Sequence, residues 1–124
     1  MVKSIILVGA GSCVGGILRY LLSLVIHFER NGFPIATFVT NVLGCLLIGV
    51  LVGVLARFAP SNTGLYLLLV TGFCGGFTTF STFSNESLLL IQNGNFMYFA
   101  LYAFGSLAFG VLSVFVGYKI AAFL

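Results

Sequence analysis

Long apolar runs separated by short polar breaks make up the chain. No charged residue occurs in 31–56, 58–85 or 87–118, and Arg19 is the one charge between residues 4 and 28. Each uncharged run exceeds the roughly 20 mainly apolar residues that a helix needs to cross a bilayer. Three polar clusters punctuate the runs: His27–Gly32; then Arg57 with Pro60, Ser61, Asn62 and Gly64; then Gln92, Asn93, Gly94 and Asn95. The pattern predicts four spans, at about 4–26, 34–56, 65–92 and 96–121. Pro34 suits the first turn of the second. A signal peptide has an apolar core of only about 7–15 residues and a small-residue cleavage site. Here the apolar character continues past Arg19 and no Ala-x-Ala pattern follows, so the first helix reads as retained. The expectation is one all-α membrane domain of four helices over 1–124.

Composition sharpens this picture. Hydrophobic residues make up 60% of the chain and charged residues 6%, with a mean hydropathy of +1.23. A soluble domain carries about 25% charged residues. The chain therefore cannot cover a water-facing surface, which excludes a soluble enzyme, a secreted disulfide scaffold and a disordered segment. No nucleophile–base pair stands at a catalytic spacing, so no enzyme is expected. Four spans put both chain ends on one side, with Lys3, Arg57 and Lys119 there and Arg30 opposite. That difference weakly favours cytoplasmic ends, and it is small enough for insertion in both orientations. The net charge of +3 comes from these flanking residues and calls for no nucleic-acid partner. Cys13, Cys45 and Cys74 fall inside apolar runs, where they read as small buried hydrophobes rather than a disulfide framework. Two glutamates, one histidine and no aspartate leave no transition-metal cluster.

The sixteen glycines sit mainly inside the spans. In lipid, small residues let helix backbones approach closely. Gly11 with Gly15, and Gly49 with Gly53, form Gly-x-x-x-Gly pairs; Gly105, Gly110 and Gly117 lie along the last helix. Glycine-faced helices on so small a chain suggest a homo-oligomer, most simply a dimer.

The third span carries the chemistry. Gly75 and Gly76 followed by Thr78 and Thr79 make a poor helix interior, so the helix is expected to break near 75–79. Backbone freed at membrane depth is tolerated only against protein or a water-lined cavity, and freed carbonyls are hard oxygen ligands for a small cation. The alternative is an unbroken, glycine-rich packing contact. Phe77, Phe80 and Phe83 recur every three residues, about 300° apart on a helix, so neighbours share a side. Thr79, Thr82 and Glu86 make a polar stripe by the same arithmetic, flanked by Ser81 and Ser84. Hydroxyl, amide and ring-edge hydrogens all favour an anion. Asn41 offers amide donors in mid-span, with Thr37 on the same face and Thr40 adjacent; an interhelical hydrogen bond is its alternative role. Tyr98, Tyr102 and Ser106 form a further seam. Arg19 is either an anchor at the membrane boundary or an attraction for anions in a vestibule. Glu86 is an intramembrane acid and a functional candidate by default.

The stretch from Gly75 through Phe77, Thr78, Thr79, Phe80, Ser81, Thr82, Phe83 and Ser84 to Glu86 resembles the signature of the Fluc (CrcB) fluoride channels. Gly15, Gly16 and Arg19 in the first helix, and Thr37, Asn41 and Gly44 in the second, match as well. The resemblance covers the whole length. It implies an antiparallel, dual-topology homodimer with two fluoride pores at the subunit interface, exporting fluoride passively and rejecting chloride. It implies a central structural sodium ion held by main-chain carbonyls, which map onto Gly75 and Thr78. It implies Phe80, Phe83 and Asn41 as pore residues, Arg19 in the vestibule, and hydroxyl tracks at Ser81 and Thr82, with Thr37 nearby, and at Tyr102 and Ser106. Gly110 and Val114 end the second track. The expected location is a bacterial plasma (inner) membrane. A small, dimeric, proton-coupled transporter, of multidrug or fluoride–proton type with Glu86 as the acid, is the rival reading. A non-transporting assembly subunit has no use for the hydroxyl stripe.

Overall fold

The computed structural model describes residues 1–26 and 32–124. The expected loop at 27–32, except Gly32, and Arg30 with it lie outside the described residues. Among those described there are four helical spans long and apolar enough to cross a membrane. Helix α1 is Val2–Val25, α2 is Ile35–Phe58, and the third span is Thr63–Gln92. The fourth, α5, is Phe96–Ala122. The ends fall within a few residues of the hydropathy pattern. Pro34 stands at the N-cap of α2, one position before the first turn.

The third span is interrupted, as the glycines and threonines predict, but over a shorter stretch. Its first half, α3, runs over 63–77: an α-turn at Thr63–Tyr66, a π-helix at Leu67–Cys74 and a last α-turn at Gly75–Phe77. Thr78 and Thr79 are extended, with ψ of 157° and 125°. Helix α4 then covers Phe80–Gln92. Gly75 and Gly76 thus remain helical, and the break is the pair of β-branched threonines. Eight residues of π-helix are unusual, since π geometry normally occurs as a single turn, frequently at functional sites.

Two helix pairs form the bundle, α1 against α3 and α2 against α5. Glycine permits both contacts. A Cβ at Gly15 would strike the carbonyl oxygen of Phe73, and one at Gly117 the carbonyl of Leu46. Ser12 Oγ adds a hydrogen bond to the Gly72 carbonyl at 3.3 Å. Between the pairs, Phe33 sets its ring edge-on to Phe38, Tyr98 and Tyr102. Fully buried apolar residues are few, while leucine, isoleucine and phenylalanine point outward along every span. That inversion suits hydrocarbon, where backbone rather than side-chain polarity must be hidden. Cys74 is buried and Cys45 half-buried, but Cys13 is exposed, because it faces away from α3, the contact made by Gly11 and Gly15. Lys3 lines a cavity with the 59–64 turn, and Arg57 donates to the Ala122 carbonyl at 3.0 Å. Both chain ends and Arg57 therefore share one end of the bundle.

Candidate functional site

The break at 78–79 is built by redirecting hydrogen bonds. In a continuous helix the N–H groups of Thr79, Phe80 and Thr82 donate to the carbonyls of Gly75, Gly76 and Thr78. Here Thr79 N–H donates to Asn41 Oδ1 at 2.8 Å, and Asn41 Nδ2 donates to the Thr79 carbonyl at 3.0 Å. The amide of α2 thus pairs with the extended peptide much as a neighbouring strand would. Thr82 N–H donates to Thr79 Oγ1 at 3.3 Å, so Thr79 is the N-cap of α4. Arg19 Nε donates to the Gly76 carbonyl at 3.2 Å. Thr78 Oγ1 bonds back to the Cys74 carbonyl at 2.9 Å.

Two cavities meet at Thr79. One, of about 570 Å³, is lined by Asn41, Cys45, Thr78, Thr79, Phe80, Phe83 and Ser106 among others. The other, of about 270 Å³, is lined by Gly16, Arg19, Tyr20, Ser23, Thr37, Thr40, Thr79 and Thr82. Within the first, Phe80 and Phe83 lie 5.8 Å apart, and Phe83 lies 4.8 Å from the Tyr102 ring. Phe80 is 79% exposed, so its ring is open to whatever covers this face. Ser106 Oγ is buried and has no hydrogen-bond partner among the described residues. A buried hydroxyl of that kind is costly unless something else completes it.

Glu86 lies beyond the phenylalanines. Its carboxylate accepts from Thr37 Oγ1 at 2.5 Å and from Tyr102 O–H at 3.4 Å. Tyr102 is fully buried, which fixes that phenol between α4 and α5. Three helices therefore converge on the carboxylate.

Most of the expected residues come together. Asn41, Thr79, Phe80, Phe83 and Ser106 share one cavity; Arg19, Thr37, Thr79 and Thr82 share the other; Glu86 and Tyr102 meet Thr37. Ser81 is exposed and lines neither cavity, its hydroxyl lying 3.4 Å from Thr79 Oγ1. Phe77 does not extend the aromatic ladder. The break places it in α3, where it stacks on Phe73 at 5.9 Å with rings 7° from parallel. Arg19 turns inward to the break rather than standing only as a boundary anchor. Asn41 commits one amide hydrogen to Thr79. Tyr20 and Ser23 join Gly16 and Arg19 in the second cavity without a sequence signal of their own beyond position: Gly16 and Ser23 flank Arg19 at three- and four-residue steps on one helix face. Cys45 follows Asn41 by four residues and was legible in the same way.

The fold and the site define a multi-pass membrane protein with an interrupted helix at its polar centre. A family model described as "CrcB-like protein, Camphor Resistance (CrcB)" matches residues 6–118. The chain belongs to the CrcB family. It is 46% identical over 116 residues to the "Fluoride-specific ion channel FluC" of Phocaeicola vulgatus, covering 93% of this chain and 95% of the relative. It is 40% identical over 124 residues to a protein of the same name from Azobacteroides pseudotrichonymphae, covering 99% of each. A third, from Chlorobaculum tepidum, is 46% identical over 125 residues, covering 98% and 96%. These relatives are named as channels rather than enzymes, in agreement with the expectation drawn from the lack of a catalytic constellation.

Proposed function

We propose that the chain is a fluoride-selective, passive ion channel that exports fluoride from the cytoplasm and relieves its toxicity. Its relatives carry that specificity in their names. The observation that carries the reading is the cavity at the break, where phenyl rings, an anchored amide and an unpartnered Ser106 hydroxyl converge. Fluoride is small and strongly hydrated, so a selective path must replace its water with hydrogen donors. Ring edges, hydroxyls and the second Asn41 amide hydrogen do this without a full buried charge. Binding must also stay weak enough for release. Phe80 and Phe83 offer their edges, Asn41 and Ser106 their donors, and Thr79, Ser81 and Thr82 a line of hydroxyls at the break, while the Thr37 and Tyr102 hydroxyls extend the line to Glu86, to which they donate. Arg19 supplies positive potential at the vestibule. Glu86 stands at the far end of the path, held by Thr37 and Tyr102.

The working unit is an antiparallel, dual-topology homodimer in a bacterial plasma (inner) membrane, with two pores. The exposed Phe80 and the open sides of both cavities support a second copy as the cover. The main-chain carbonyls of Gly75 and Thr78 would hold a structural sodium ion at the dimer centre. The donor set fits. Thr79 N–H and Thr82 N–H, the helical partners of those two carbonyls, are turned to Asn41 and to Thr79 Oγ1. Gly75 is exposed, and nothing within 4 Å would meet a Cβ there. Carbonyl oxygens are hard ligands that suit sodium, which when bound would contribute fixed charge and would not be transported.

Planar bilayers holding purified protein, with a fluoride gradient and then a pH gradient, test the reading against a fluoride–proton exchanger using Glu86. The channel predicts a current that reverses at the fluoride equilibrium potential at any pH gradient. A reversal potential that moves with the pH gradient assigns the exchanger.

A further inference from the structure

The carbonyls of Gly75, Gly76 and Thr78 lose their helical donors at the break, and among the described residues only that of Gly76 receives a new one, from Arg19 Nε. We propose that Arg19 is a positioning residue: it replaces the Phe80 N–H at the Gly76 carbonyl and so fixes the geometry of the break. The structural part stands alone; its link to sodium rests on the channel reading above.

The face of α1 is arranged for this contact. Ser12, Gly16 and Arg19 follow one another at four- and three-residue steps, so they share the side packed on α3. Ser12 takes the Gly72 carbonyl and Arg19 the Gly76 carbonyl, one helical turn apart on α3. Gly16 lies between them, and a Cβ there would meet only the Gly76 carbonyl, at 3.9 Å. A Cβ at Gly76 would strike the backbone of Ser12 at 2.5 Å, so the Gly76 peptide is seated directly against α1. The bond uses Nε, the stem-side donor of the guanidinium. The four hydrogens on the Nη atoms have no hydrogen bond among the described residues and remain for the 270 Å³ cavity that Arg19 lines. One side chain thus does two separable things: Nε holds the backbone, and the guanidinium charge serves the cavity that Arg19 lines. A charge-assisted bond to a carbonyl is also stronger than a neutral one. With Gly76 held by α1 and Thr79 held by α2, the Gly75 and Thr78 carbonyls between and beside them keep a fixed spacing.

Side-chain chemistry separates the two roles. Counting bonds from Cα, Gln Nε2 falls at the position of Arg Nε, so Arg19→Gln keeps the donor and loses the charge. Arg19→Lys keeps the charge, but an apolar methylene takes the Nε position. Arg19→Met keeps neither. Carbonyl-13C glycine combined with 15N phenylalanine restricts a carbonyl–amide NMR spectrum to the three Gly–Phe peptides, Gly32–Phe33, Gly72–Phe73 and Gly76–Phe77. The Gly76 carbonyl signal should move upfield in Arg19→Lys and Arg19→Met and stay near wild type in Arg19→Gln. The Gly72 signal, bonded to Ser12, is the internal control. In liposomes, the sodium concentration giving half-maximal fluoride flux should rise about tenfold in the Lys and Met variants, as expected for one hydrogen bond, and little in Arg19→Gln. A Gly76 signal that stays put in the Met and Lys variants overturns the proposal. So does a Gly76 signal or a sodium requirement in Arg19→Gln that shifts as far as in Arg19→Met, or all three variants failing to fold. Folding of Arg19→Gln with loss of Arg19→Met supports it. Wild-type protein without fluoride flux removes the channel reading but leaves the spectroscopic result to decide the role of Arg19.

Discussion

Replacing Asn41 by Ala removes two hydrogen bonds at once, one to Thr79 N–H and one to the Thr79 carbonyl. A neutral bond contributes about 1 kcal/mol net, and each buried group left unpaired costs about 1–3 kcal/mol. That gives roughly 2–6 kcal/mol if the break persists with both groups orphaned. Interhelical bonds measured within membranes average only about 0.6 kcal/mol, which sets a lower figure of about 1 kcal/mol. Relaxation decides between these limits. Without Asn41, Thr79 N–H can return to the Gly75 carbonyl and heal the helix, recovering much of the stability while destroying the break. Stability should therefore fall by only about 1–3 kcal/mol. Fluoride flux should fall by far more than tenfold, since no permeation geometry survives on either route. Asn41→Leu, similar in volume but without polar atoms, should behave as Asn41→Ala does. Reversible denaturation in mixed micelles reads the stability, and fluoride efflux from liposomes reads the function. Flux within a factor of two of wild type in both variants would refute the claim that this amide holds the break.

Other consequences are independent of that one. Phe83→Ile and Phe80→Ile keep apolar bulk but remove the ring edge, and each should sharply reduce fluoride efflux while the elution volume on size exclusion stays that of the wild type. Gly15→Ala drives a Cβ into the Phe73 carbonyl, whereas Gly16→Ala meets its nearest atom only at 3.9 Å. Thermal denaturation should show a loss of at least about 2 kcal/mol for the first and little change for the second. Ser106→Ala deletes a hydroxyl that has no hydrogen-bond partner among the described residues. It should leave stability unchanged or slightly raised, and should raise the fluoride concentration for half-maximal flux.

The parts of this architecture visible in single letters were those governed by local chemistry. Uncharged runs gave the spans, because hydrocarbon excludes charge along the whole length of a helix. Thr78 and Thr79 gave the break, because β-branched residues after two glycines favour extended backbone. What escaped depends on partners far along the chain. The π-helix at Leu67–Cys74 carries no distinctive pattern; it packs against α1 through glycines whose purpose shows only in the assembled pair. Asn41 was legible as a donor, but not as the clamp on Thr79, 38 residues away. Arg19 was legible as a charge within a span, but not as the partner of a carbonyl 57 residues away. Phe77 was misassigned because three-residue spacing assumes a continuous helix, and the break lies between it and Phe80.

The most direct test loads liposomes containing the purified protein with potassium fluoride, adds valinomycin, and follows external fluoride with an ion-selective electrode. Parallel liposomes carry potassium chloride and a chloride electrode. The account predicts rapid fluoride release and no chloride release above protein-free liposomes. Folded protein that releases no fluoride, or releases chloride equally fast, contradicts it.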